Sequence, residues 1–428
     1  MKSLSWGLFC FLPLALSGVE LPEPIIPAGV GVNIHFVGGH QHDLDLIAAA
    51  GFKFIRMDFG WEATEPKKGE YRWKDYEELL ANLDQRGLRA LFILDYSHHL
   101  YEEAVTSPHP FNGAPHKTTA SPQHPDSIAA YARWAAAAAT HFKGRHVIWE
   151  IWNEPNIQFW NPKPDAQQYT ALAVAACKSI REGDAKATII APASSGFPWE
   201  FLETLFQSGI LRYLDAVSVH PYRDSRKPPE TALQDYGRLV QLIGRYKPSD
   251  RPNITILSGE WGYSSHRKGV TLETQAAFAV RQQLSNFLNG VPLSIWYDWK
   301  NDGDDPNENE HNFGTVLPDL KPKPAFTAIK TFTHQLAGYG RPRRLALAES
   351  KDYVVLFQNG GSKNKVAAWT IGDPHQVTLH LTKATEPTIK GTKGNGEPFS
   401  LSITSNAIEL QLEAMPKYLD LTTAEVEP

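Results

Sequence analysis

Between residues 29 and 336 the chain alternates two patterns. Short runs of consecutive apolar residues fall at 29–36, 54–58, 89–95, 147–151, 188–192, 216–219, 254–258 and 293–297. Runs of this length, apolar at odd and even positions alike, are strands with both faces buried. Between them lie amphipathic or Ala-rich stretches at 42–50, 76–85, 127–141, 165–182, 199–209, 229–246 and 271–289, and an eighth at 325–336 follows the last strand. Gly51, Gly87, Gly183 and Gly290 each follow one of these stretches, where a helix ends on a residue free to turn left-handed. Eight strand–helix pairs in roughly 310 residues predict an α/β fold, a (β/α)8 TIM barrel over 22–338. A doubly wound open sheet would carry a Gly-rich phosphate loop after an early strand, and none is present.

After Tyr339 the pattern changes to short alternating strands at 353–358, 365–371, 376–381, 400–403 and 407–412, separated by Asn, Gly, Asp and Lys turns. This predicts a small C-terminal all-β domain over 341–428, a sandwich. Its few aromatics favour an accessory that packs on the barrel over a sugar-binding module. The segments 67–69 and 107–125 read as loops, the second long enough to border a cleft. At the other end, Lys2, an apolar run over 4–16 and Ala15-Leu16-Ser17 read as a signal peptide over 1–17, which predicts a secreted or periplasmic protein. That run is too short to span a bilayer, and no later run is long enough. Cys10 lies inside it, which leaves Cys177 as a small core residue in Ala-rich helix.

Composition narrows the function classes. A net charge of −5 without any block of like charge lacks the clustered basic face of a nucleic-acid binder. No nicotinamide, flavin or nucleotide motif appears, so no cofactor is expected. His98-His99 lacks the spacing of a zinc site. The acidic run 302–308 lacks the glycine that a calcium loop needs at its sixth position, so no metal is expected either. Arg223, Arg226 and Lys227 read as a solvated basic loop rather than a seat for an acidic sugar. Nothing in the pattern speaks to oligomeric state.

The candidate chemistry sits at strand ends. The run Val147-Ile148-Trp149-Glu150-Ile151 stops at Trp152-Asn153-Glu154-Pro155, because proline cannot extend a ladder. The run Ile254–Leu257 likewise ends in Ser258-Gly259-Glu260-Trp261. Two carboxylates at one rim are what glycoside hydrolysis needs, one to protonate the leaving oxygen and one to attack or to activate water. The other strand ends add His35, Arg56, Asp58, Trp61, His98, His99, Asn153, His220, Tyr222, Trp296 and Trp299, with Trp160 just beyond the fourth strand. Singly, each has a structural explanation. Together they predict a ring of hydrogen-bonding and stacking groups for a carbohydrate substrate.

Glu65-Pro66 with Gly69-Glu70-Tyr71-Arg72-Trp73, Trp152-Asn153-Glu154-Pro155-Asn156, and His220-Pro221-Tyr222 resemble the clan of (β/α)8 retaining glycosidases, and within it families 39 and 5. The resemblance covers the barrel. It implies Glu154 as acid/base and Glu260 as nucleophile, with Arg56, His98 or His99, Asn153, His220, Tyr222 and Trp296 around the reactive sugar. It also implies carboxyl groups about 5–5.5 Å apart. Trp61, Trp160, Trp296 and Trp299 at one rim suggest stacking platforms, a groove, and cleavage within an extracellular polysaccharide rather than from its end. The rival readings are an exo-acting β-glycosidase such as a xylosidase, a carbohydrate-binding barrel without catalysis, and a lyase or aldolase. The last would want a strand-end Lys, and only Lys300 stands near one.

Overall fold

The structure is a computed structural model that describes residues 21–426 except 110, 111, 252, 348 and 362. The expected signal peptide lies outside the described residues. Eight parallel strands close into a barrel: β1 (Val30–Asn33), β2 (Phe54–Gly60), β3 (Arg89–Asp95), β4 (Ile148–Ile151), β5 (Thr188–Ser195), β6 (Ala216–His220), β7 (Thr255–Trp261) and β8 (Ser294–Trp296). The ring closes through β1, which pairs with both β2 and β8. Helices Gln41–Ala49, Lys74–Asp84, Pro125–His141, Ala166–Gly183, Trp199–Gln207, Leu233–Tyr246, Leu272–Leu288 and Pro324–Gln335 follow the strands in turn. Local chemistry starts several of them. The Asp165 side chain accepts from the Gln167 and Gln168 amides, and Thr271 accepts from the Thr274 amide, each satisfying orphan donors of a first turn.

The two-residue period of the strands sorts their side chains into two cores. Ile55, Met57, Phe59, Phe92, Leu94, Trp149, Ile151, Val217 and Val219 face out beneath the helices. Phe54, Leu91, Ile93, Ile148, Ile190, Ala216, Leu257, Leu293 and Ile295 fill the barrel. Two residues further along the same inward rows the chemistry turns polar, at Arg56, Glu150 and Ser218. The apolar plug is therefore the floor under a charged layer, at the end of the barrel where strands finish.

The C-terminal region is a six-stranded antiparallel sheet packed against a three-stranded one. One face of the larger sheet, with Val354, Leu356, Val366, Ala368 and Leu419, meets the smaller sheet. The other, with Tyr353, Val355, Phe357, Ala367, Trp369 and Tyr418, is continuous with the barrel core. At that junction Arg281 donates from Nε and Nη2 to Glu230 at 2.8 Å each, and Trp369 Nε1 donates to the same carboxylate at 2.6 Å. Two local expectations change. Within 107–125 the chain forms a hairpin, Ala104–Pro108 with Pro115–Thr119, not a plain loop. The first strand ends at Asn33, so His35 stands beyond it. No described helix is long and apolar enough to cross a membrane.

Candidate active site

A cavity of about 460 Å³ opens at the C-terminal ends of the strands, and Glu154 and Glu260 both line it. One carboxylate oxygen of each, together with a ring nitrogen of His220, lie within 4.8 Å of one another. Glu154 follows β4 with φ 45°, and Trp152 has φ 68°. Such left-handed backbone at non-glycine residues costs about 1–3 kcal/mol each and persists where the surroundings hold it. Here the Glu154 amide is held by the Ala193 carbonyl at 3.0 Å. Glu260 lies near the end of β7, one residue after Gly259. A Cβ at Gly259 would come 2.9 Å from Glu150 Oε1 and closer still to the Ser218 hydroxyl, so this approach of strands needs glycine.

Arg56 organises the layer below. Its guanidinium is 1% exposed. Nε donates to Glu150 Oε2 at 2.7 Å, Nη1 to Glu260 Oε2 at 2.6 Å and to Asn33 Oδ1 at 3.2 Å, and Nη2 to Asn153 Oδ1 at 2.7 Å. Glu150 is fully buried, and its other oxygen accepts from Ser218 Oγ. Tyr222 donates to Glu260 Oε1 at 2.8 Å. Burial alone would raise the Glu260 carboxyl; the positive field of His220 and Arg56, with the Tyr222 donor, outweighs it and holds the group below the ordinary carboxylate range. His220 lies between the acid and the guanidinium, Nδ1 2.9 Å from Glu154 Oε1 and Nε2 3.3 Å from Arg56 Nη2.

The far wall carries His35, whose Nε2 is 3.4 Å from the buried Asp298. Burial pushes Asp298 up to about 7. Burial opposes charge on His35 too, but Asp298 beside it raises that ring to about 9. His35, Asp298 and Asp302 have ligand-like spacing, as do Glu154, His220 and Glu260. The second trio is already tied to Arg56 and Tyr222, a donor set that suits a reacting carboxylate pair. Asp58, Tyr96, Tyr297 and Glu310 complete the lining, and burial raises Glu310 above its ordinary value.

Of the residues singled out from sequence, His35, Arg56, Asp58, Asn153, Glu154, Tyr222 and Glu260 meet at the cavity, with His220 directly behind. Six do not. Trp61, Trp160, Trp296 and Trp299 are fully buried and stack nothing in the cavity. Trp61 opens the short helix Trp61–Thr64, donates to Glu65 Oε2 at 2.5 Å and lies over Trp134. Trp160 packs on Trp152, and Trp299 donates to Asp43 at 2.9 Å. Trp296 follows the inward-facing Ile295, so strand alternation turns it outward and gives the cavity Tyr297 instead. His98 is buried, donating to the Glu65 carbonyl at 2.8 Å, and His99 is exposed beside Glu62. Sequence reasoning passed over Glu150, although a carboxylate in an apolar strand, two residues after inward-facing Ile148, was the available signal.

Residues 26–303 match the family model described as cellulase, glycosyl hydrolase family 5. The chain belongs to that family. As a family 5 glycosyl hydrolase it is an O-glycosyl hydrolase with a carbohydrate substrate. Solved structures share the fold. A family 39 glycoside hydrolase from the gut symbiont Bacteroides cellulosilyticus WH2 is 24% identical with a TM-score of 0.77, over 94% of this chain and 81% of that one. A family 39 β-xylosidase from Caulobacter crescentus is 16% identical with a TM-score of 0.66, over 96% and 98%. A family 30 endoxylanase from Clostridium papyrosolvens C71 is 13% identical with a TM-score of 0.64, over 94% and 97%.

Proposed function

We propose that this family 5 hydrolase cleaves β-glycosidic bonds of a neutral extracellular polysaccharide or its oligosaccharides with retention, by double displacement. The observation that carries the reading is the short separation of Glu154 and Glu260, whose nearest oxygens lie within 4.8 Å. Inverting enzymes hold their carboxyl groups roughly 6.5–9.5 Å apart to seat a water between them. Glu260, kept ionised by His220, Arg56 and Tyr222, attacks the anomeric carbon while Glu154 gives its proton to the departing oxygen. Water then enters on the same face, Glu154 takes its proton, and the Glu260 ester is released. Asn153 has its oxygen on Arg56 and its amide on Tyr96 OH at 2.9 Å, which fixes it at the rim beside the reacting carbon.

A neutral sugar is favoured because the cations at the site are already matched. Arg56 serves two carboxylates and His35 faces Asp298. Arg223 pairs with Asp235 and Arg226 with Asp224. The cavity lining instead adds Asp58 and Glu310. An export destination fits a polysaccharide substrate and rests on the N-terminal sequence pattern.

The test is a panel of aryl β-glycosides, followed by paired variants. Glu260→Ala removes turnover of every substrate. Glu154→Ala keeps turnover of glycosides whose leaving group needs no proton, and azide restores part of the rate. Activity retained in Glu260→Ala, with loss even on activated substrates in Glu154→Ala, would reverse the two roles.

A further inference from the structure

A second cavity of about 320 Å³ adjoins the first, and the two share Tyr96 and Phe159 in their linings. The rings of these residues are stacked, 5.8 Å apart and 13° from parallel. Tyr96 also ties the partition to the reacting centre, since its hydroxyl accepts from Asn153 at 2.9 Å. The outer wall comes from the hairpin that follows β3, through His109, His116 and Thr118, and Glu62, Ser97, Gln158 and Asn161 line much of the rest.

The lining is polar in a way that suits a polyhydroxylated guest. His116 Nδ1 lies 2.9 Å from the Ser107 carbonyl. A carbonyl only accepts, so Nδ1 carries the proton and Nε2 remains an acceptor. The site therefore offers the Thr118 hydroxyl, the Gln158 amide, the Glu62 carboxylate and an imidazole acceptor beside an aromatic face, the mixture that binds the hydroxyls of a neutral sugar along with its apolar face.

We infer that this second cavity is a subsite for the sugar unit next to the reactive one, a neutral hydroxyl-bearing residue of the same chain, and that the hairpin sets the enzyme's preference for oligosaccharides over simple glycosides. The inference rests on the glycosidase reading above. It replaces the buried tryptophans as the basis for expecting more than one sugar unit to be bound.

The experiment compares the full chain with His116→Ala, which removes one acceptor from an exposed hairpin, and with Thr118→Tyr, which fills the cavity. The probes are nitrophenyl β-xyloside, β-glucoside and β-mannoside and the β-linked oligosaccharides of the same sugars, two to five units long. The readout is the ratio of kcat/KM on oligosaccharide to kcat/KM on the matching aryl glycoside. It falls about tenfold in His116→Ala, the worth of one hydrogen bond, and further in Thr118→Tyr. Parental ratios in both variants, or equal losses on both substrate types, overturn the subsite. A parent chain that turns over no glycoside at all brings down the glycosidase reading, and the subsite falls with it.

Discussion

Arg56 Nη1 lies 2.6 Å from Glu260 Oε2 while its Nε lies 2.7 Å from Glu150 Oε2, inside the barrel. One buried guanidinium thus bridges a carboxylate in the cavity and another beneath it. Removing Glu150 leaves Arg56 paired with Glu260 but takes the acceptor from Arg56 Nε and Ser218 Oγ inside the barrel, and a buried donor left unsatisfied costs about 1–3 kcal/mol. Glu150→Ala, though Glu150 does not line the cavity, is expected to lose that much stability in urea unfolding. A change below about 1 kcal/mol would show that Arg56 does not depend on Glu150.

Tyr222 donates to the second oxygen of Glu260. As the proposed nucleophile Glu260 must be ionised to attack, and its carboxyl is held low despite burial by His220, Arg56 and this hydroxyl. Removing a donor to the ionised form raises the group, so the acidic limb of kcat/KM moves to higher pH in Tyr222→Phe. The plateau falls roughly tenfold to a hundredfold, as expected for a hydrogen bond to a charged group worth about 1.5–3 kcal/mol. A lower plateau with an unmoved acidic limb would make Tyr222 a substrate contact only.

Asp95 ends β3 with 1% exposure, hydrogen-bonded to the neighbouring Asp58 carboxyl. Burial first, and then the neighbouring Asp58, push its carboxyl well above the usual range. The unfolded chain ionises Asp95 near pH 4 while the fold keeps it protonated. Its contribution is therefore complete below the unfolded value and is lost as pH climbs toward the folded one. Asp95→Asn removes that loss. The variant should gain on the parent by up to about 1.4 kcal/mol per pH unit as the pH rises above the unfolded value of about 4. A stability difference that is constant with pH would mean Asp95 is ionised in the fold.

The barrel was legible because its strands are buried on both faces and so appear as unbroken apolar runs, each closed by a polar strand end. The same ends exposed Glu154, Glu260, Arg56 and Tyr222. What the pattern did not carry is direction once the chain leaves a strand. Trp61 turns back onto Trp134 because a four-residue helix begins at it, and no residue type announces that turn. Trp296 and Tyr297 are adjacent, and only the inward phase of Ile295 decides between them. The strand Thr388–Lys393 escaped notice because Ile389 is its only large apolar residue, paired across the sheet with Leu401.

The most direct test of the central claim is the stereochemical course. Proton NMR of a turned-over aryl β-glycoside, followed from the first seconds, separates the first-formed anomer from the mixture that mutarotation later produces. Double displacement at Glu260 with Glu154 as acid/base predicts the β-anomer first; the α-anomer first would contradict it.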